Sequence, residues 1–161
     1  MQHPKKKGID TIARIANSIN KPIYVTGNGR LAKLSGNVKY LGVLSREDYA
    51  KLLAKASICV LPTYGETFSI TLLECLASGN LVLARDLPVL REVAGNIPSV
   101  NFAQSDSEFL AKLENFLDIA IKSDEFYELS MRSIERSKVF SKDVILERLK
   151  TQLLFIAHEK R

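Results

Sequence analysis

The chain is short of most of what would place it in a special class. It has no tryptophan, only two cysteines, five prolines and eight glycines in 161 residues. Cys59 and Cys75 each lie in an apolar stretch without metal-ligand spacing. They read as two reduced core thiols, and no disulfide framework or metal centre is expected. No apolar run reaches the roughly 18 residues of a membrane span, and no secretory leader opens the sequence. The expectation is a cytoplasmic protein. Basic residues interleaved with aromatics, the mark of an RNA-binding sheet, are absent too, so no nucleic-acid partner is expected.

What remains is ordinary globular material, 46% apolar and 25% charged, long enough for one domain with a full core. The net charge of +5 is partly concentrated, in Lys5, Lys6 and Lys7 and again between Arg132 and Lys142. Such charge suits phosphates, in a nucleotide or in anionic lipid headgroups, so peripheral membrane contact is compatible with it. A solvated face is the commoner meaning of a lysine run.

Helical and strand patterns alternate along the chain. Ile9, Ile12, Ala13, Ala16 and Ile19 recur at helical spacing. Ile23 to Thr26 is a short β-branched strand stopping at Gly27-Asn28-Gly29. Val38 to Leu41 is a second strand, ended by Gly42, and Ser45 N-caps a helix with Glu47 and Asp48 in its first turn. Ile58 to Leu61 and Leu81 to Ala84 are apolar throughout, as in parallel strands covered on both faces. Between them a helix is expected from Phe68 to Ala77. A short helix from Val89, a strand over Ser99 to Phe102 and three further helical stripes follow. The pattern predicts an α/β fold, a Rossmann-like doubly wound parallel sheet in a single domain over residues 1–161.

Ligands of such sheets bind beyond the carboxyl ends of the strands. The turn from Pro62 to Thr71 follows a buried strand and opens a helix, so the amides of Phe68, Ser69 and Ile70 are candidate donors to a pyrophosphate. Gly65 permits close approach of a ligand, and Thr67 and Ser69 sit in the same turn. Glu66 and Glu74 bracket the helix start. A carboxylate on each side of an anion site makes sense for an anion carrying a diol at each end, as a nucleoside diphosphate sugar does. The spacing alone equally allows two solvated surface residues.

The stretch from Asn37 to Gly95 resembles the C-terminal domain of GT-B-fold retaining glycosyltransferases of the family 4 type. The resemblance rests on Tyr40-Leu41-Gly42, the strand ending at Pro62, Glu66-x7-Glu74, Ala77-Ser78-Gly79, Leu81 to Ala84 and Glu92-Val93. Lys7-Gly8, the Gly27 turn and Phe140-Ser141 extend it over nearly the whole chain. It implies transfer of a hexosyl group from a UDP- or GDP-sugar, with Glu66 facing the sugar and Lys7 balancing leaving-group charge as the two catalytic residues. Glu74 would hold the ribose, and Gly65, Thr67, Phe68, Ser69 and Ile70 would surround the diphosphate. The base would lie near Gly42 to Ser45, with Gly42 and Leu44 as binding residues, and Gly27 is a further substrate-binding candidate. No metal and no other cofactor is implied.

Some features depart from the family pattern. An arginine usual about six residues before the Lys-Gly pair has no counterpart, and Lys5 or Lys6 is the nearest substitute. Thr67 and Ser69 stand where glycines are common, and Leu81 where proline is. The acceptor-binding N-terminal domain also has no counterpart. The resemblance therefore implies a partner domain or subunit, against which the terminal helix over 141–158 would pack. That helix places Leu153, Leu154, Phe155 and Ile156 in succession, too many directions for one core, so self-association is expected without the partner. Two alternatives are a binding module that holds a nucleotide sugar without transferring it, and another phosphate-binding α/β domain.

Overall fold

The computed structural model describes residues 7–28 and 37–159, with side chains to Ile156. Lys5, Lys6 and Gly29 lie outside the described residues. In chain order the elements are α1 (Ile9–Ala16), β1 (Ile23–Thr26), β2 (Val38–Gly42), α2 (Arg46–Lys55), β3 (Ile58–Leu61), α3 (Ile70–Ala77), β4 (Leu81–Arg85), α4 (Pro88–Ala94), β5 (Val100–Ala103), α5 (Asp106–Ile121), α6 (Ser123–Lys138) and α7 (Lys142–Glu159).

Among the described residues every strand pairing is parallel, as the alternation of helices and apolar strands predicts. The strands form two hydrogen-bonded groups, β1-β2 and β3-β4-β5. β4 is buried along its whole length and separates two cores. Leu81 and Leu83 point into one with Ile12 and Ile15 of α1 and Phe109, Leu113 and Phe116 of α5. Val82 and Ala84 point into the other with Leu72 and Leu76 of α3 and Leu90 and Val93 of α4. Helices thus cover both faces, which is the doubly wound arrangement. The first core also takes in Val25 and Val38, so it runs beneath both strand groups.

Buried polar side chains tie these layers at their ends. Asn80, at 1% exposure, donates to the carbonyls of Leu53 and Ala56 and accepts from the Cys59 thiol at 3.4 Å. It thereby adds a donor to the Leu53 carbonyl, which also accepts from the Ala56 amide at 3.2 Å, and satisfies the Ala56 carbonyl beyond the end of α2. Ser133 of α6 donates to the Asn80 carbonyl at 2.9 Å and bonds the Ser99 hydroxyl at 2.8 Å. Arg136 donates to the Glu92 and Val93 carbonyls at 2.8 and 2.9 Å, closing the end of α4. Cys59 and Cys75 are free and buried, as expected of core thiols. The hydrogen bond with the neighbouring Cys59, and after it burial, push the Cys75 thiol well above its usual range.

Several helix boundaries differ from the periodicity: α4 opens at Pro88 rather than Val89, α6 at Ser123 rather than Phe126, and α7 spans Lys142–Glu159 rather than 141–158. α1 ends at Ala16 rather than Ile19, although Ile19 remains buried in the core. α3 begins at Ile70, two residues later than expected, because Ser69 takes φ 70°, ψ 76° and acts as the N-cap. It is the one non-glycine residue at positive φ among the described residues. A glycine adopts that conformation freely, which explains why glycine is common at this position in the family that the sequence resembles. The Ser69 hydroxyl accepts from the Leu72 amide at 3.3 Å, an interaction glycine lacks. α7 carries its apolar residues exposed, with Leu153, Leu154, Phe155 and Ile156 between 50% and 62% accessible.

Candidate functional site

The carboxyl ends of β1, β3 and β4 converge on one region, and the sequence reasons for this are local. Pro62 stops β3, and the Thr63 hydroxyl then donates to the Gly65 carbonyl at 3.1 Å, folding the loop that carries Glu66. Gly8 begins α1 at φ +69°, and a Cβ there would sit 2.0 Å from the Pro62 carbonyl oxygen. Only glycine allows α1 to start so close to β3. That approach brings Lys7 to Glu66, 59 positions away in sequence, and the ammonium bonds the carboxylate at 2.5 Å. Their side chains are 38% and 14% exposed. The two residues expected to be catalytic are therefore joined in one ion pair.

Lys7 and Glu66 line a cavity of about 970 Å³, and Glu74, Thr71, Thr26, Gly27 and Tyr49 line it too. Both carboxylates of the Glu66-x7-Glu74 motif thus address one space. Thr26, Gly27 and Tyr49 also line a second cavity of about 310 Å³, completed by Val43, Leu44, Ser45 and Arg46. The two cavities share a wall, making a groove from Leu44 to Glu66. Gly42, at φ +69°, turns β2 away from this wall, and its carbonyl accepts from the Gly27 amide at 2.8 Å. The Tyr40 hydroxyl donates to the Gly27 carbonyl at 2.5 Å and fixes the same turn. Burial pushes the Tyr49 phenol up, so Tyr49 presents a neutral hydroxyl.

Gly65, Thr67, Phe68, Ser69 and Ile70 form the loop and helix start beside the groove and are not part of either cavity wall. Phe68 packs its ring edge-on against Phe140 at 5.7 Å, and Ile70 is 67% exposed. With α3 starting at Ile70, the helix amides without a partner among the described residues are those of Ile70 and Thr71, while Leu72 is bonded to Ser69. A Cβ at Gly65 would meet nothing within 4 Å, so the fold itself does not require glycine there.

Arg85 is a positioning residue that sequence reading missed. It ends the apolar strand β4 and is 7% exposed. Its guanidinium donates to the Pro62 carbonyl at 3.3 Å, the Gln104 carbonyl at 2.6 Å and the Thr11 hydroxyl at 3.1 Å. It also lies 4.1 Å from the centre of the Tyr64 ring. One side chain thereby ties the ends of β3 and β5 to α1 and braces the Tyr64 side of the Glu66 loop. Its neighbour Asp106 is held below the usual carboxylate range, chiefly by its bond to Arg14. An arginine closing an apolar strand gives no sequence signal beyond the charge itself. Among the described residues, no group of His, Cys, Asp and Glu has the arrangement of a metal site.

The chain matches none of the curated protein sequences. Among solved structures it is similar to sucrose-phosphate synthase from Thermosynechococcus elongatus, with a TM-score of 0.76 and 20% identity over 95% of this chain and 43% of that one. It is similar to Anabaena HepE, solved in complex with UDP and glucose, with a TM-score of 0.74 and 13% identity over 94% and 47% of the two chains. It is also similar to WaaG, a glycosyltransferase involved in lipopolysaccharide biosynthesis, with a TM-score of 0.66 and 19% identity over 86% and 40%. At such identities the likeness concerns the fold, and this chain spans less than half the length of each. The family model for glycosyl transferases group 1 matches residues 1–118. That match includes Lys7, Glu66, Glu74 and all five strands, and on it the chain belongs to the glycosyl transferases group 1 family.

Proposed function

We propose that this chain binds the donor of a retaining glycosyltransferase, a UDP- or GDP-sugar, and that hexosyl transfer takes place when an acceptor-binding domain or subunit faces it. The observation that carries this reading is the groove in which Lys7, Glu66 and Glu74 share one wall system with the Gly27 turn. A base, a diphosphate and a sugar would lie along it in series. The base would occupy the smaller cavity at Leu44, read by backbone atoms of the Val43 to Ser45 segment, with the Gly27–Gly42 bond holding the turn beside it. Glu74 would accept from the ribose hydroxyls. The diphosphate would lie at the start of α3, where the Ile70 and Thr71 amides and the helix dipole favour negative charge.

Glu66 would accept from hexose hydroxyls. Lys7 would exchange part of its bond with Glu66 for the phosphate as negative charge builds on the leaving group. A cation already held in place costs little reorganisation at that moment, which is where electrostatic catalysis gains. Fixing donor and acceptor in register needs both halves, so the 161-residue chain should bind donor and transfer sugar poorly or not at all. The exposed apolar face of α7 is the surface we assign to the acceptor-binding half. The proposed cellular site is the cytoplasm, with peripheral contact at a membrane.

A thermal-shift panel of UDP-, GDP- and ADP-sugars against inorganic pyrophosphate tests this reading. One nucleotide-sugar series at about a hundredfold excess over its dissociation constant should add about 2.7 kcal/mol. For a chain of this size that is a rise of roughly 5–10 °C. Equal stabilisation by pyrophosphate and by every nucleotide sugar would favour a general phosphate-binding domain instead.

A further inference from the structure

The inner face of α2 repeats at helical spacing through Tyr49, Leu52, Leu53 and Ala56. On periodicity Tyr49 is one more core residue, and a leucine would serve the core as well. Its ring does pack, half-buried, against the core group that holds Cys59, Leu72 and Cys75. The hydroxyl has no such use. It makes no hydrogen bond among the described residues, although a phenol carried this far into a protein ordinarily finds a partner. No buried side-chain oxygen or nitrogen among those residues lacks a partner, so this hydroxyl reaches the open space that Tyr49 lines.

Tyr49 borders both the smaller cavity at Leu44 and the larger one that holds Glu74. Of the other two residues on both walls, Gly27 has no side chain and Thr26 belongs to β1, whereas the Tyr49 ring lies against the α3 core residues next to Glu74. Glu74 is likewise unspent. Its carboxylate makes no hydrogen bond or ion pair among the described residues. Burial first, and then the neighbouring Cys75 and Glu74, keep the phenol protonated.

A neutral O–H donor and an ionised acceptor thus face one place, where the two cavities meet. Such a pair fits a hydroxyl group that gives its proton to the carboxylate and accepts the proton of the phenol. A carboxylate by itself accepts from both hydroxyls of a vicinal diol without distinguishing them. A donor placed on one side singles out one of the two. In a nucleotide the 2′-hydroxyl stands on the carbon next to the one that bears the base, so it is the hydroxyl on the base side. Tyr49 borders the base cavity and Glu74 does not.

Resting on the donor-binding reading, we propose that Tyr49 is a specificity-determining residue, donating to the ribose 2′-hydroxyl while Glu74 accepts from it, so that the site selects ribonucleotides over 2′-deoxyribonucleotides.

Titration calorimetry of the parent chain and Tyr49→Phe, with UDP and GDP and with their 2′-deoxy and 3′-deoxy forms, tests this. Phenylalanine keeps the ring and removes only the hydroxyl, so the variant should melt with the parent. The parent should bind the 2′-deoxy form roughly thirtyfold or more weakly than the ribonucleotide, since one bond to a charged group and one to a neutral group are lost. Tyr49→Phe should bind the ribonucleotide and the 3′-deoxy form about three- to tenfold more weakly than the parent does, and the 2′-deoxy form within about twofold. Equal weakening of all three forms would make Tyr49 a matter of shape alone and overturn the proposal, as would an undiminished preference for the 2′-hydroxyl in the variant. Loss on the 2′-deoxy form with none on the 3′-deoxy form would move Tyr49 to the other hydroxyl and overturn it too. A parent chain that binds neither diphosphate more tightly than inorganic pyrophosphate would remove the donor-binding reading and this assignment with it, so the parent alone tells the two failures apart.

Discussion

Replacing Gly8 by alanine is expected to lower the stability of the chain by roughly 2–5 kcal/mol. Two costs add. An L-residue at φ +69° loses about 1–2 kcal/mol to left-handed backbone strain. The new methyl would also lie 2.0 Å from the Pro62 oxygen and 2.6 Å from its carbonyl carbon. Both are backbone atoms at the end of a buried strand, so neither moves cheaply, and overpacking of this kind costs about 1–3 kcal/mol. The melting temperature should fall by roughly 5–20 °C. Gly65→Ala is the matched control, because its Cβ meets nothing and no positive φ is at stake. Its stability should stay within about 0.5 kcal/mol of the parent. A Gly8→Ala chain that melts with the parent would mean that α1 does not start against β3 as described.

Arg85→Met should cost about 2–4 kcal/mol in urea melts. The guanidinium makes its bonds to two backbone carbonyls and a hydroxyl, and methionine removes that donor from all three, leaving the buried Pro62 carbonyl without it, while Gln104 is exposed and the Thr11 hydroxyl keeps the Tyr64 hydroxyl at 3.4 Å. Each orphaned acceptor costs about 1–3 kcal/mol, partly offset because an arginine no longer has to be desolvated. Arg85→Lys should recover less than half of the loss, since an ammonium cannot span Pro62 and Gln104 as a planar fork does. Because Pro62 anchors the loop that carries Glu66, both substitutions should also loosen the Lys7–Glu66 pair. Unchanged melting in both variants would remove Arg85 from the account.

Local pattern suffices for some elements of this fold. Leu81 to Ala84 is apolar at four successive positions because both faces of β4 are covered, and that requirement is visible without any partner. Ser45 is equally local: its hydroxyl accepts from the Asp48 amide at 3.1 Å, as its place before Glu47 and Asp48 implies. The start of α3 is different, because serine at Ser69 carries no sign that it adopts a positive φ. The helix therefore opens at Ile70, and the exposed amides shift by two residues.

The division of the strands into two groups has no local signature either. β1 and β3 have the composition of any buried parallel strand, whether or not a neighbour lies beside them. In the candidate site, Glu66 and Glu74 stood out by their spacing around a helix start. Their place in one cavity with Lys7 depends on the approach of Gly8 to Pro62, a contact between residues 54 positions apart that spacing does not encode. Arg85 was invisible for a related reason: its three acceptors come from three separate segments.

The measurement that bears most directly on the donor-binding account is titration calorimetry of Glu66→Gln and Glu74→Gln, each with a nucleotide sugar and with its free nucleoside diphosphate. Hydrogen bonds to a charged group are worth about 1.5–3 kcal/mol, so losing one should weaken binding about ten- to a hundredfold. Glu74→Gln should weaken both ligands by similar factors, because both carry the ribose. Glu66→Gln should weaken only the nucleotide sugar. The free diphosphate should bind as before or slightly better, since Lys7 is then released from its carboxylate partner. Glutamine keeps the size of each side chain, so packing stays nearly constant. Equal loss of both ligands in both variants would contradict the assignment of one carboxylate to each end of the diphosphate, and unchanged binding throughout would mean that neither glutamate touches the ligand.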